Sequence, residues 1–218
     1  MRHNSGRMEV QKPPPGYEWL NQERVEKYLG DQEGDALRDE IERAHGRMME
    51  LLGLPRDAAF RFMDLGAGAG AVSASVMSAF PNATGVLADM SAPMMEAGSS
   101  KLAPFEGRYR YVEVDMNSDD WPADLSGPFQ AVVSARAIHH LTSERKAALF
   151  GRIRDALAPG GVFINWDNMK RPDEEKVTNR EKVPAYLALL EGARFVNNES
   201  IFVEGVGHRW IMVGRKPS

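Results

Sequence analysis

Apolar residues at Leu37, Ile41, Ala44, Met48, Leu51 and Leu52 recur at helical spacing, and they predict a helix over Asp35 to Leu52. A shorter one is predicted over Glu18 to Leu29, with Gly30 and Gly34 as breaks. Beyond Pro55 the pattern changes to short apolar runs that alternate with helical stretches. The runs are FRFMDLG from Phe60, ATGVLAD from Ala83, RYRYVEVDM from Arg108, PFQAVVSA from Pro128 and GGVFINWD from Gly160. Between and after them lie a small-residue helix behind Gly70, SAPMMEAGSSKL from Ser91, a turn around Trp121 and Pro122, a helix over Ser143 to Leu157 and another around Glu181 to Leu190. Such alternation predicts an α/β fold with a parallel sheet and right-handed crossovers. The last two runs, ARFVNNESIFV and HRWIMVGRK, have no helix between them and meet near Glu204, Gly205 and Gly207, which predicts a closing antiparallel hairpin.

Three parts follow from this pattern. Residues 1–16 are polar and end in Pro13, Pro14, Pro15 and Gly16, a composition expected of a disordered lead-in. Residues 17–55 form an N-terminal helical cap, and residues 56–218 form the main domain. Met169 to Lys182 is a charged stretch expected to be a solvated loop or frayed helix.

Composition narrows the function classes. With 43% hydrophobic and 27% charged residues, the 218-residue chain matches a soluble globular protein, and no apolar run approaches the ~20 residues of a spanning helix. A net charge of −4 gives no reason to expect a nucleic-acid partner. The chain has no cysteine, which removes disulfides and thiolate metal sites, and no apolar segment follows the first positive charges as a secretory signal requires. A cytoplasmic location and no membrane partner are the expectations. His3, His45, His139, His140 and His208 form no recognisable ligand spacing with nearby acids, so no metal is expected.

The chemistry begins at Asp64-Leu65-Gly66-Ala67-Gly68-Ala69-Gly70, an apolar strand running into a glycine-rich turn ahead of small residues that open a helix. Such a turn lets backbone approach a ligand, and the helix start behind it favours an anionic group. Gly66, Gly68 and Ala71 also satisfy the G-x-G-x-x-A form of a dinucleotide fingerprint, so the turn alone leaves a nicotinamide cofactor open. Asp89 closes the second strand and Asp115 the third. At the carboxyl edge of a sheet these acids suit ribose hydroxyls and an adenine amino group, although either one is equally suited to capping the next helix or turn.

From about Phe60 to Lys216 these motifs resemble the class I S-adenosylmethionine (SAM) dependent methyltransferases, which have a Rossmann-like, seven-stranded, mostly parallel sheet with a reversed last strand. The resemblance rests on FMDLGAGAG, GVLADMSAPMMEA, VEVDMNSDDWP, FQAVVSARAIHHL and ALAPGGVFINWD. It implies SAM as cofactor and S-adenosylhomocysteine as product. Asp64, Gly66, Ala67, Gly68 and Gly70 would then meet the amino acid end, Asp89 the ribose, and Met90, Asp115 and Met116 the adenine. Ser134 and Ala135, with Arg136, would touch cofactor or acceptor by backbone. His139 and His140 follow the fourth strand, where the family holds the methyl group, and are the candidates for a general base, beside a plain packing role. Pro159, Gly160 and Gly161 are expected to turn the chain into the fifth strand.

The acceptor is expected to be a small molecule, since SARA stands where an NPPY-like motif would point to an amino group on a base or glutamine. The insertion after the fifth strand, Asn168 to Lys182, is shorter than the lids of many relatives. A more open site, a cover made by the N-terminal helices with Tyr17, Trp19 and Tyr28, or a partner chain or second copy completing the pocket would each fit. Beside an enzyme acting on an O, N or C nucleophile, a SAM-binding subunit without turnover and an NAD-dependent oxidoreductase remain as alternatives.

Overall fold

A computed structural model describes residues 15–31, 34–176 and 178–218. The expected disordered lead-in therefore lies almost wholly outside the described residues. A single 3-10 turn, Tyr17–Leu20, precedes α1 (Gln22–Gly30) and α2 (Asp35–Leu52). The first predicted helix is thus two pieces, parted at Asn21, whose extended backbone and side chain cap α1 by accepting from Arg24 N–H.

The main domain runs β1 (Arg61–Leu65), α3 (Ala71–Ala79), β2 (Thr84–Asp89), α4 (Ala92–Leu102), β3 (Tyr109–Glu113), β4 (Phe129–Ala135), α5 (Ser143–Ala156), β5 (Leu157–Asn168), α6 (Val183–Gly192), β6 (Val196–Val203) and β7 (Arg209–Arg215). The seven strands form one sheet in the order β3-β2-β1-β4-β5-β7-β6. β1 to β5 pair in parallel, and β7 runs antiparallel to both β5 and β6. Strand order reverses between β1 and β4, and in open α/β sheets the crevice beyond the carboxyl ends at such a point receives ligands.

Pleat alternation divides the core in two. Phe62, Val133, Ile164, Trp166 and Ile211 pack on the α2, α3 and α4 side. Met63, Val132, Phe163 and Met212 pack with Phe150, Ile153, Tyr186 and Leu190 on the α5 and α6 side. α2 buries Ala44, Met48 and Leu52, part of the stripe its spacing predicts, together with the polar Glu40 and His45. Glu40, fully buried, accepts from the Val206 and Gly207 N–H groups and lies 2.7 Å from Arg209, which fastens α2 to the β6–β7 hairpin.

Three details differ from the sequence reading. β3 ends at Glu113, so Asp115 sits in the following turn and not on the strand. Pro159-Gly160-Gly161 lies inside β5 as a bulge, because Leu157 already pairs with Phe129 before Val162 pairs with Ala131. α6 starts at Val183, leaving Met169 to Lys182 without described helix. Among the described residues no helix is long and apolar enough to cross a membrane.

Candidate functional site

Where β1 ends the chain turns sharply, with φ of 70° at Gly66 and 52° at Gly68, values that side chains with a Cβ rarely adopt. Gly66 and Ala67 N–H donate to Ala88 O in β2, and Gly68 N–H donates to Asp89 Oδ2 at 2.7 Å. The turn, the ends of β2 and β4 and the turn after β3 surround a cavity of about 350 Å³. Trp19, Tyr28, Leu29, Ile41 and His45 line it from the N-terminal helices.

Three acids line the same cavity. Asp64 is 1% exposed; its Oδ2 accepts from Ser73 N–H and Oγ–H at the start of α3, while Oδ1 has no partner. Burial holds its carboxyl up at about 7, against the pull of the two Ser73 bonds. Asp89 accepts from Ser91 N–H through Oδ1 as well as from Gly68, and burial again raises its pKa. Asp115 accepts from Asn117 N–H through Oδ1 and from the Tyr17 hydroxyl through Oδ2 at 2.5 Å. The turn before α1 is thereby tied to an acid of the cavity. Ser91 Oγ donates to Trp19 O, so a second bond of that turn ends two residues beyond Asp89.

Of the residues singled out from sequence, the cavity gathers Asp64, Gly66, Ala67, Gly68, Asp89, Met90, Asp115, Met116, Ala135 and His140. Gly70 stands behind the turn; it caps α3, and a Cβ there would meet Leu102 at 2.6 Å. Ser134 is fully buried and donates from Oγ to Leu65 O at 2.7 Å, tying β4 to β1. Arg136 adopts φ of 55°, and its guanidinium lies 5.5 Å from the Tyr28 ring and 5.6 Å from the Trp166 ring.

The two histidines have opposite settings. His139 Nδ1 lies 2.5 Å from Asp167 Oδ1, and its backbone N–H donates to Oδ2 of the same carboxylate at 2.9 Å. Burial alone would raise the Asp167 pKa, but the His139 ring and the N–H groups of Asn168 and His139 outweigh it and hold the group below its ordinary value. A carboxylate only accepts, so Nδ1 carries the proton and Nε2 is left for other chemistry. His140 instead accepts from the Trp19 indole through Nε2 at 3.4 Å. Burial, then the neighbouring His139, lowers its pKa to about 4, so it stays neutral near pH 7.

Beyond His140 lies a second, more polar recess, lined by His139, His140, Asn168, Thr178, Asn179 and Arg180. The stretch after β5 that builds it is anchored and not loosely solvated. Lys146 of α5 is 1% exposed; its ammonium donates to Asn179 O and to Glu181 Oε1, and Asn179 Nδ2 donates to His140 O at 2.7 Å. Removing one partner of such a buried ion pair typically costs about 3–5 kcal/mol, so Glu181 and Lys146 fix this segment. The sequence reading did not single out Asp167, the penultimate residue of β5, and weighed His45, a polar residue on the buried face of α2, only as a possible metal ligand.

A family model described as a methyltransferase domain matches residues 62–161, from β1 into β5. The N,N-dimethyltransferase OxyT of Streptomyces rimosus is 25% identical over 172 residues, 72% of this chain and 48% of that protein, so the chain spans about half the length of this curated relative. A CurJ carbon methyltransferase structure superposes with a TM-score of 0.73 at 15% identity, covering 94% of this chain and 62% of that one. A putative O-methyltransferase from Nostoc punctiforme gives 0.73 at 16% identity, covering 95% and 64%. At these identities the two structures establish the fold. Other chains of this fold are solved with SAM or with S-adenosylhomocysteine. With a methyltransferase domain matched over residues 62–161 and a Rossmann-like sheet shared with solved methyltransferases, the chain is similar to the class I SAM-dependent methyltransferases.

Proposed function

We propose that this chain binds SAM in the cavity behind the glycine turn and transfers its methyl group to an oxygen or nitrogen of a small molecule, with His139 taking the acceptor's proton. The observation that carries this reading is the His139–Asp167 pair beside the end of β4. The bound cofactor supplies an electrophilic methyl on sulfonium; the chain's residues position, exclude water and move the proton. The residues present fit the cofactor. Asp64 Oδ1 is a buried acceptor without a partner, suited to an ammonium, and Asp89 and Asp115 retain acceptor lone pairs for ribose hydroxyls and an adenine amino group. Gly66, Ala67 and Gly68 let the backbone come close, while Met90 and Met116 supply apolar walls.

On the acceptor side, Asp167 fixes the His139 tautomer and orientation. The proton of an acceptor O–H or N–H group held beside it would move to His139 Nε2. A heteroatom acceptor is favoured over carbon because a base at this position serves an O–H or N–H group directly. The relatives span the choices, since OxyT is named for nitrogen, CurJ for carbon and the Nostoc protein for oxygen. A SAM-binding subunit without turnover loses ground to this pair, which supplies a candidate base.

Calorimetric titration with SAM, S-adenosylhomocysteine and NAD tests the cofactor, and a methyl-transfer screen over small phenols, amines and carbon acids tests the acceptor. Binding of the first two without NAD, and turnover of phenols or amines, is expected. NAD binding in place of SAM would overturn the cofactor reading, and turnover of carbon acids alone would overturn the heteroatom reading.

A further inference from the structure

Asn168 and Asn179 both line the recess beside His139, and the chemistry of their partners fixes which way each amide points. Asn179 Nδ2 donates to the His140 carbonyl at 2.7 Å, so its nitrogen is already engaged. At Asn168 the arrangement is reversed. Arg209 Nε lies 3.1 Å from Asn168 Oδ1. A guanidinium only donates, so the atom it touches is the amide oxygen, and Nδ2 points to the other side. Arg209 does not line the recess and Asn168 does, so Nδ2 is the end of the amide that faces it. Among the described residues no protein group accepts from Asn168 Nδ2.

We propose that Asn168 selects the acceptor, its Nδ2 donating to a second heteroatom that the acceptor carries next to the O–H or N–H group served by His139. This rests on the reading of the recess as the acceptor site and deepens it by naming the class, a phenol or amine with a neighbouring ether, hydroxyl or carbonyl oxygen. The backbone N–H of Asn168 donates at 2.8 Å to Asp167 Oδ1, the oxygen that lies 2.5 Å from His139 Nδ1. The amide donor is therefore one residue away from the acid that holds the base. Arg180 lines the recess as well, but Glu174 takes its guanidinium, which favours selection by hydrogen bonding over selection by charge.

The amide is held by residues far away in the chain. Arg209 Nη1 lies 2.7 Å from Oε1 of Glu40, which is fully buried in α2, and the guanidinium lies 5.7 Å from the Trp166 ring. Glycines between β6 and β7 leave the room for this pair. A Cβ on Gly205 would come 2.3 Å from Glu40 Cδ, and one on Gly207 would come 2.6 Å from Arg209 Cζ. A buried carboxylate without its cation is strongly destabilising, so the guanidinium is kept in place. Arg209 is thus a positioning residue, and Asn168 is the residue that meets the acceptor. A lysine at position 209 could answer Glu40, but it lacks the planar fork that reaches Asn168 at the same time.

The test is methyl transfer from SAM, by the full chain, to matched acceptors: ortho-methoxyphenol against ortho-ethylphenol, and ortho-methoxyaniline against ortho-ethylaniline. The members of each pair share a shape and differ by an ether oxygen, which only accepts. The wild type is expected to favour the methoxy member of at least one pair by about tenfold in kcat/KM, as a donor left without its partner implies. Asn168→Asp keeps an oxygen for Arg209 but turns an acceptor toward the recess, so the preference should vanish or reverse. Arg209→Lys releases the amide, and the preference should fall to within about threefold. S-adenosylhomocysteine affinity by calorimetry should stay within about twofold in both variants, which reports a folded protein, because neither residue lines the cavity. Equal kcat/KM within both pairs for the wild type, or a preference that survives Asn168→Asp, would overturn the assignment and leave His139 as the base. Turnover of neither member of either pair would overturn the acceptor reading itself, and the assignment would fall with it.

Discussion

The two sides of His140 are built differently. On the cavity side, the N-terminal helices and the segment after β4 complete a wall whose acids and glycines come from one stretch of chain, Asp64 to Met116, and that stretch relies on backbone: a glycine turn bonded to Ala88 O, an N–H donated to Asp89, a helix start facing Asp64. On the recess side, His139, Asp167 and Asn179 come from three separate segments and meet through side chains. The first arrangement is set largely by local geometry, the second by tertiary packing.

The largest effect should come from breaking the recess without touching the cavity. Asp167→Asn lets an amide donate toward His139, which disturbs the tautomer, and turnover should fall about 10²–10⁴-fold. S-adenosylhomocysteine affinity by calorimetry should stay within about twofold, because Asp167 does not line the cavity. His140→Phe sharpens the contrast: its Nε2 is already engaged by Trp19, so turnover should change by less than about tenfold. A larger loss for His140→Phe than for Asp167→Asn would exchange the roles of the two histidines.

The same contrast explains how much was legible in the sequence. Strand alternation, the reversed hairpin and the glycine turn each leave a mark within a few neighbouring residues, and the sheet carries all of them. Gly70 and Ser134 belong to the same motifs, yet one abuts Leu102 and the other bonds Leu65 O, because the direction of a residue off the turn or strand depends on pleat and packing. Asp115 sits past its strand, since hydrogen-bonded pairing ends before the apolar run does. The charged stretch after β5 gave no local sign that a buried Lys146 from another helix would hold it. His45 was weighed only as a possible metal ligand and not as part of the cavity wall, as helical spacing says which residues share a face but not what that face covers.

A smaller effect is expected where the cofactor side depends on close approach. A Cβ on Gly66 would sit 2.3 Å from the Ala137 Cβ at a φ of 70°, so Gly66→Ala combines a clash with backbone strain of about 1–3 kcal/mol. S-adenosylhomocysteine binding should weaken by about tenfold to a hundredfold, with a lower melting temperature. At Gly68 the Cβ would meet only the flexible end of Met94, at 2.8 Å, so Gly68→Ala should cost less. Wild-type affinity in Gly66→Ala would show that the turn can shift, and that backbone geometry does not control this side.

The last effect is a proton. Burial favours the neutral form of Asp64 in the folded protein, raising its pKa from 3.8 to about 7. The stabilisation this gives is fully present below pH 3.8 and is lost as pH rises through about 7, so Asp64→Asn should gain stability relative to the wild type over that range, by at most about 4 kcal/mol. An ammonium at the unpartnered Oδ1 has the opposite preference, since it favours the carboxylate. Below about pH 7, SAM binding should therefore expel a proton from Asp64, and affinity should fall by up to about tenfold per pH unit. Calorimetry at about pH 6 in phosphate and in imidazole, whose ionisation enthalpies differ, should give different binding enthalpies that converge near pH 8. Asp64→Asn should abolish the difference. Equal enthalpies in both buffers at the lower pH would mean that the ammonium does not face Asp64.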